Sequence, residues 1–127
     1  MFEISVKSEF SAAHRLVEIG GKCENLHGHN FKVEIHLKAR HLTSEGVVMD
    51  FRELKRHLGQ VLAELDHKNL NDIAPFAGKS PTSEHIAEYI YSEMKARIGP
   101  REGEPYLGVD VWESDTSRAS YREDTRW

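Results

Sequence analysis

Two histidines separated by one glycine, His27-Gly28-His29, open a stretch of alternating residues. Residues two apart on an extended strand project from the same side, so the two imidazoles converge, and the glycine lets a ligand or a backbone come close. Neutral imidazole is a good zinc ligand, and a catalytic zinc takes three protein ligands and keeps one position open. The third predicted ligand is His14, next to the small Ala12 and Ala13, where a hairpin of the first two strands would bring it beside the pair. The competing reading is a polar strand start carrying surface imidazoles. Cys23, four residues before His27, admits three readings: a fourth ligand closing a structural site, a thiolate acidified by a nearby metal, or an inert buried thiol. Asp66-His67 is an acid beside an imidazole, the composition of a proton relay. Adjacent residues rarely pair, so a relay there needs a third group; otherwise the two are a helix C-terminus with a cation on its dipole. Glu113 ends an apolar strand and reads as a carboxylate at a pocket mouth or an exposed strand end. Thr82 and Glu84 read first as helix-capping residues.

These residues need a frame to hold them. Phe2, Ile4 and Val6 alternate with polar neighbours and predict a strand over Phe2–Phe10. Ser11–Glu24 contains Gly20-Gly21, lacks a clear period and reads as a loop. A second strand is expected over His29–Lys38, with Phe31, Val33, Ile35 and Leu37 on one face and His29, Lys32, Glu34, His36 and Lys38 on the other. Ser44-Glu45-Gly46 marks a turn. Asp50 opens a helix with capping-box spacing to Glu53, and Leu54, Leu58, Val61, Leu62 and Leu65 form its apolar stripe to an end near Asp66. Asn69–Lys79 reads as a loop. Thr82 or Ser83 caps a second helix that Gly99-Pro100 stops. Strands over about Tyr106–Glu113 and Arg118–Arg122 complete a β-β-α-α-β-β order. This is an α+β chain of one domain, residues 1–127, with a mainly antiparallel sheet and two helices on one face. Its unpaired sheet edges favour association into a homo-oligomer.

The 127 residues carry 17 basic and 21 acidic side chains, a net charge of −4, which gives no basic stripe for nucleic acid. A single cysteine excludes an intrachain disulfide framework. No apolar run approaches the ~20 residues of a membrane helix, and MFEISVKSEF is not a basic segment followed by an apolar one. The expectation is a soluble, cytoplasmic protein with no nucleic-acid or membrane partner. Eight histidines against one thiol direct attention to metal or proton chemistry.

Taken in order, Phe10-Ser11-Ala12-Ala13-His14-Arg15-Leu16, Cys23-x-x-x-His27-Gly28-His29-Asn30, Gly46-Val47-Val48-Met49-Asp50-Phe51, Leu65-Asp66-His67-Lys68-Asn69-Leu70-Asn71, Pro81-Thr82-Ser83-Glu84 and Val111-Trp112-Glu113 resemble the 6-pyruvoyltetrahydropterin synthase family. The resemblance runs from about residue 3 to 122. The short gap between Cys23 and His27 is similar to its bacterial branch, the QueD-type 6-carboxytetrahydropterin synthases.

The resemblance implies the tunnelling fold (T-fold), in which β-β-α-α-β-β units trimerise into a barrel and two trimers often stack. It implies zinc on His14, His27 and His29, Cys23 as the catalytic thiol, and Asp66 with His67 as its proton-relay partners. It implies that Glu113 grips the pterin ring, with Thr82 and Glu84 in a supporting pterin-site segment, and that these groups come from more than one subunit. The implied substrate is 7,8-dihydroneopterin triphosphate, converted to 6-carboxytetrahydropterin, acetaldehyde and triphosphate on the way to queuosine. Glu24 is a departure: a branch of the family carries Glu-x-x-His-Gly-His without the cysteine and cleaves the side chain like an aldolase, giving 6-hydroxymethyl-dihydropterin. Here thiol and carboxylate stand together, so the resemblance implies aldolase-like cleavage as a second activity. The alternatives are 6-pyruvoyltetrahydropterin synthesis and a non-catalytic module that binds zinc and a pterin.

Overall fold

A computed structural model describes residues 1–16 and 25–123. Among the described residues, β1 (Phe2–His14) and β2 (His27–Ala39) form a long antiparallel hairpin, followed by α1 (Phe51–Ala63), a two-residue β3 (Lys68–Asn69), two short 3-10 turns, α2 (Ser83–Ile98), β4 (Tyr106–Ser114) and β5 (Ser117–Tyr121). The sheet order is β3-β1-β2-β4-β5; β3 runs parallel to β1 and the other pairs are antiparallel. The α+β architecture expected from the sequence is present, with β3 as an addition. No described helix is long and apolar enough to cross a membrane.

Alternation sets the layers. Val6 and Phe10 of β1, Phe31, Val33, Ile35 and Leu37 of β2, and Val109 and Val111 of β4 share one buried cluster with Leu54, Leu58, Val61 and Leu62 of α1 and Ile86, Ala87, Ile90 and Met94 of α2. Both helices therefore cover the same sheet face. Asp50 caps α1 by accepting the Arg52 N–H, and Thr82 caps α2 by accepting the His85 N–H. Glu53, expected to complete a capping box, directs its carboxylate to the Arg101 guanidinium at 2.8 and 3.2 Å.

The strand ends of β4 (Ser114) and β5 (Ser117–Tyr121) shift by one residue from the expectation, the expected loop Asn69–Lys79 holds the two 3-10 turns, and three further boundaries differ near the histidines and Asp66. β1 continues past Phe10 to His14, because Ser11–His14 finds partners in Asn30–His27 on one edge and in β3 on the other. Small Ser-Ala-Ala residues carry no apolar alternation, so pairing rather than pattern makes this stretch a strand. β2 begins at His27, and His29 shares the side of Phe31, not that of Lys32 and Glu34. The first helix ends at Ala63 rather than near Asp66, with Leu65 buried in the turn that follows.

The other sheet face is polar, and Asp110 on β4 is 2% exposed there. Its carboxylate accepts the Ser120 hydroxyl, the His36 Nε2–H at 2.7 Å and an Arg122 N–H at 3.1 Å. Burial pushes the Asp110 carboxyl up, but these donors and the Arg122 charge outweigh it and hold the group below its ordinary 3.8. For a depressed carboxyl the stabilisation is complete above the unfolded-state value and is lost as pH falls through the folded-state one. Acid unfolding should therefore steepen below pH 3.8. Asp110→Ala is expected to lose about 1–3 kcal/mol at neutral pH by stranding its partners, and to flatten that acid limb in urea titrations at several pH values.

Candidate active site

The hairpin end assembles the histidines. His14 and His27 are directly opposed across β1 and β2, and His29 lies two residues further along the same face. The three rings stand at centroid separations of 4.6, 5.2 and 4.7 Å in edge-on arrangements. Phe31, stacked on Phe10 at 5.0 Å, meets the edges of His14 and His29 at 5.4 and 5.5 Å and forms an apolar floor.

Each ring's protonation follows from its partners. His14 Nδ1 lies 2.8 Å from the Pro81 carbonyl oxygen and His27 Nδ1 lies 2.8 Å from that of Asn25. A carbonyl only accepts, so both Nδ1 atoms carry hydrogen and both neutral rings present an Nε2 lone pair. Burial holds the His29 imidazole below its ordinary range against the charge of Glu113, with His27 and His14 adding to the lowering. A ring kept neutral is a ring able to ligate.

Glu113 completes the cluster. Alternation carries Val109, Val111 and Glu113 on the helix-covered face, and the β4–β5 pairing shifts register at this residue, a device that re-aims a side chain. Its Oε1 lies 2.7 Å from His29 Nε2, 3.6 Å from His14 Nε2 and 4.0 Å from His27 Nε2. One ligand atom from each of the four residues falls within 4.8 Å of the others. His14 Nε2 and His29 Nε2 are buried with no hydrogen-bond partner, since the close approach of Glu113 lacks hydrogen-bond alignment. Buried polar atoms left in this way are costly unless something else binds them. Three imidazole nitrogens and a carboxylate oxygen are a donor set that suits a first-row divalent cation such as zinc. The residues fit a metal.

Asp66 and His67 form a second unit. Contrary to the expectation that neighbours do not pair, His67 Nδ1 lies 2.9 Å from Asp66 Oδ2. His67 adopts φ +57°, the left-handed region, which folds its ring back beside the preceding carboxylate. The pair follows the end of α1, whose Leu62 carbonyl accepts the Asp66 N–H at 2.9 Å. Asp66 Oδ1 accepts the Ser11 N–H at 2.9 Å; this bond, ahead of the His67 contact, holds the Asp66 carboxyl below its ordinary range. His67 is 82% exposed and borders a cavity of about 490 Å³ with Ser11, Ala13, Gly28, Asn30 and Lys68. A Cβ at Gly28 would meet only the Ala12 carbonyl at 3.7 Å, an ordinary contact, so what glycine leaves open here is this cavity. By strand alternation the triad shares the Phe31 side of the hairpin, whereas Ser11, Ala13, Gly28 and Asn30, which border the His67 cavity together with His29, point to the other side. Cys23 and Glu24 lie outside the described residues.

A family model described as 6-pyruvoyl tetrahydropterin synthase matches residues 3–124. The chain belongs to the 6-pyruvoyl tetrahydropterin synthase family. It is 39% identical over 127 residues to the 6-carboxy-5,6,7,8-tetrahydropterin synthase of Synechocystis sp., covering 95% of this chain and 93% of the relative. It is 33% identical over 134 residues to the human 6-pyruvoyl tetrahydrobiopterin synthase, covering 94% and 90% of the two chains. The 6-pyruvoyl tetrahydropterin synthase crystal structure from Plasmodium vivax shares the fold at a TM-score of 0.85, with 24% identity over 97% of this chain and 98% of that one.

A cavity of about 300 Å³ adjoins Glu113 and is lined by Ser83, Glu84, Ser117, Arg118, Ala119 and Ser120. Glu84 faces it, whereas Thr82 spends its hydroxyl on the α2 cap at 3.1 Å from the His85 nitrogen. The Ser83 hydroxyl is buried with no hydrogen-bond partner. Sequence reasoning treated Ser83 only as an alternative cap and missed this. It also missed the Pro81 and Asn25 carbonyls that orient the histidines, because backbone acceptors carry no residue-type signal.

Proposed function

We propose that this chain is a zinc-dependent 6-carboxy-5,6,7,8-tetrahydropterin synthase, a lyase that converts 7,8-dihydroneopterin triphosphate to 6-carboxytetrahydropterin, acetaldehyde and triphosphate. The observation that carries the reading is the convergence of His14, His27 and His29, with the Nε2 atoms of His14 and His29 buried and partnerless, beside a cavity that Glu113 shares. The similarity to the Synechocystis relative of that name supports the choice of reaction.

His14, His27 and His29 hold the metal. Zinc bound there supplies Lewis acidity that makes the C–H and O–H bonds of the substrate side chain easier to deprotonate. Glu113 orients the pterin: its carboxylate accepts two hydrogen bonds from the aminopyrimidinone edge, with the Ser83 hydroxyl, Thr82 and Glu84 as the supporting segment. Cys23, as thiolate, takes and returns protons on one side of the substrate. Asp66 fixes hydrogen on His67 Nδ1 and leaves Nε2 as the atom that gains and loses a proton on the other. Because the triad lies on one side of the hairpin and the pair beside the residues of the other, the working site draws them from different copies in a homo-oligomer, a trimer or a dimer of trimers. Among the described residues, the edge of β1 below β3 and the edge of β5 have no strand partner, and these are the surfaces that such a closure pairs. The reading places the protein in the cytoplasm, in the queuosine pathway.

Glu24, adjacent to Cys23, supports aldolase-like cleavage to 6-hydroxymethyl-dihydropterin as a second activity, and the human relative keeps 6-pyruvoyl synthesis as the alternative. Product analysis with zinc-loaded protein discriminates among them. Acetaldehyde is expected; a two-carbon hydroxyaldehyde that disappears in Glu24→Ala marks the aldolase route; a pyruvoyl product replaces the proposal by its alternative; no turnover leaves a zinc and pterin binding module. Glu113→Gln keeps the shape but loses one of two acceptors, so KM should rise about 10- to 100-fold with zinc still bound. A loss of zinc in that variant, measured by elemental analysis, would make Glu113 a metal ligand instead.

A further inference from the structure

We propose that Asn71 is a positioning residue for the metal ligand His14, acting through the backbone of Arg15. Strand pairing ends at the His14–His27 pair, so Arg15 is the first residue of this segment without a strand partner. The Asn71 side chain supplies one. Its Oδ1 accepts the Arg15 N–H at 2.7 Å and its Nδ2–H donates to the Arg15 carbonyl at 2.8 Å, the two-way exchange that a paired strand residue would make. Asn71 is itself held, since its N–H donates to the Asn69 side-chain oxygen at 3.1 Å and the neighbouring Leu70 is fully buried.

The same segment grips β1 at two further places. Ser11 gives its N–H to Asp66 and takes the His67 N–H on its carbonyl at 2.6 Å, and β3 pairs with Ala12 and Ala13. Asn71 closes this row at the residue after His14. The Pro81 carbonyl fixes the His14 ring; Asn71 fixes the backbone from which the ring projects. An uncharged carboxamide donates and accepts from one planar group, which a carboxylate or a methyl group in its place does not. The two bonds are exposed, so their loss leaves the core intact and acts on local geometry.

This inference rests on reading His14, His27 and His29 as metal ligands, and Co²⁺ separates the two. Apo protein is titrated with Co²⁺ against a chromophoric chelator while its visible ligand-field spectrum is recorded, in wild type, Asn71→Ala, Asn71→Asp and, as a distant control, Glu102→Ala, which removes the carboxylate that accepts the Ser44 N–H. Asn71→Ala should bind roughly tenfold more weakly, the scale for groups that orient metal ligands, with an altered spectrum. Asn71→Asp, which keeps the acceptor for the Arg15 N–H, should fall between it and wild type and carries the test if the alanine variant does not fold. Glu102→Ala should match wild type. Unchanged affinity and spectrum in both Asn71 variants overturns the role of Asn71, whereas wild type that binds no Co²⁺ overturns the metal reading beneath it.

Discussion

His29→Ala is expected to fold, to bind no stoichiometric zinc and to lose turnover by more than the roughly 10- to 100-fold that removal of an orienting group costs. His29 is the informative member of the triad because of where it sits. His14 is fully buried and hydrogen-bonded to Pro81, so deleting it strands a carbonyl and opens a hole; His29 keeps 26% of its side chain exposed. The polar interaction lost with the His29 ring is its approach to Glu113. Removing it leaves two imidazoles, and with Glu113 serving the pterin rather than the metal these are too few to hold a catalytic zinc tightly. Elemental analysis after dialysis and product assay at saturating zinc provide the measurements. A variant that retains one zinc per chain and near-normal turnover would sink the three-histidine reading.

The largest effect on stability is expected at Phe31. Its ring is fully buried between the Phe10 stack and the edges of His14 and His29. Phe31→Ala removes aromatic area from a packed interior and leaves a cavity that strand backbones cannot collapse, a loss of about 3–5 kcal/mol. Urea unfolding should show the midpoint fall with little change in slope. Because the same ring supports two of the proposed ligands, zinc affinity should fall with it. Phe31→Leu keeps most of the volume and should recover the greater part of both. A cost below about 0.5 kcal/mol for the alanine variant, within the range of surface substitutions, would mean that Phe31 is not the floor of the site.

Much of this arrangement is written in short-range pattern. His27-Gly28-His29 shares one side because strand alternation has period two, and His14 joins them because a hairpin closing at residues 14 and 27 sets them opposite each other. Counting by twos along β2 also places His29 with Phe31, and its polar type obscured that count. Other features depend on distant partners. The extension of β1 through Ser11-Ala12-Ala13 depends on the edge that residues 66–71 supply. The turn of Glu113 toward the triad depends on β4 packing beside β2, and the pairing of Asp66 with His67 depends on a backbone conformation that residue types do not announce. Ser83 and Asn71 read locally as a helix start and a loop residue; their roles come from what the fold brings against them.

The placement of the histidine triad on one side of the hairpin and of Asp66–His67 beside the residues of the other has a consequence for what counts as one enzyme. If the site is shared as proposed, a lone chain holds two half-reagents and no complete one, like a plug and a socket on either side of the same plate. The number of working sites then counts closed boundaries rather than chains, and dilution switches the chemistry off without unfolding anything. Two chains crippled on opposite sides, one in the histidine cluster and one in Asp66–His67, still hold between them every part of one intact site.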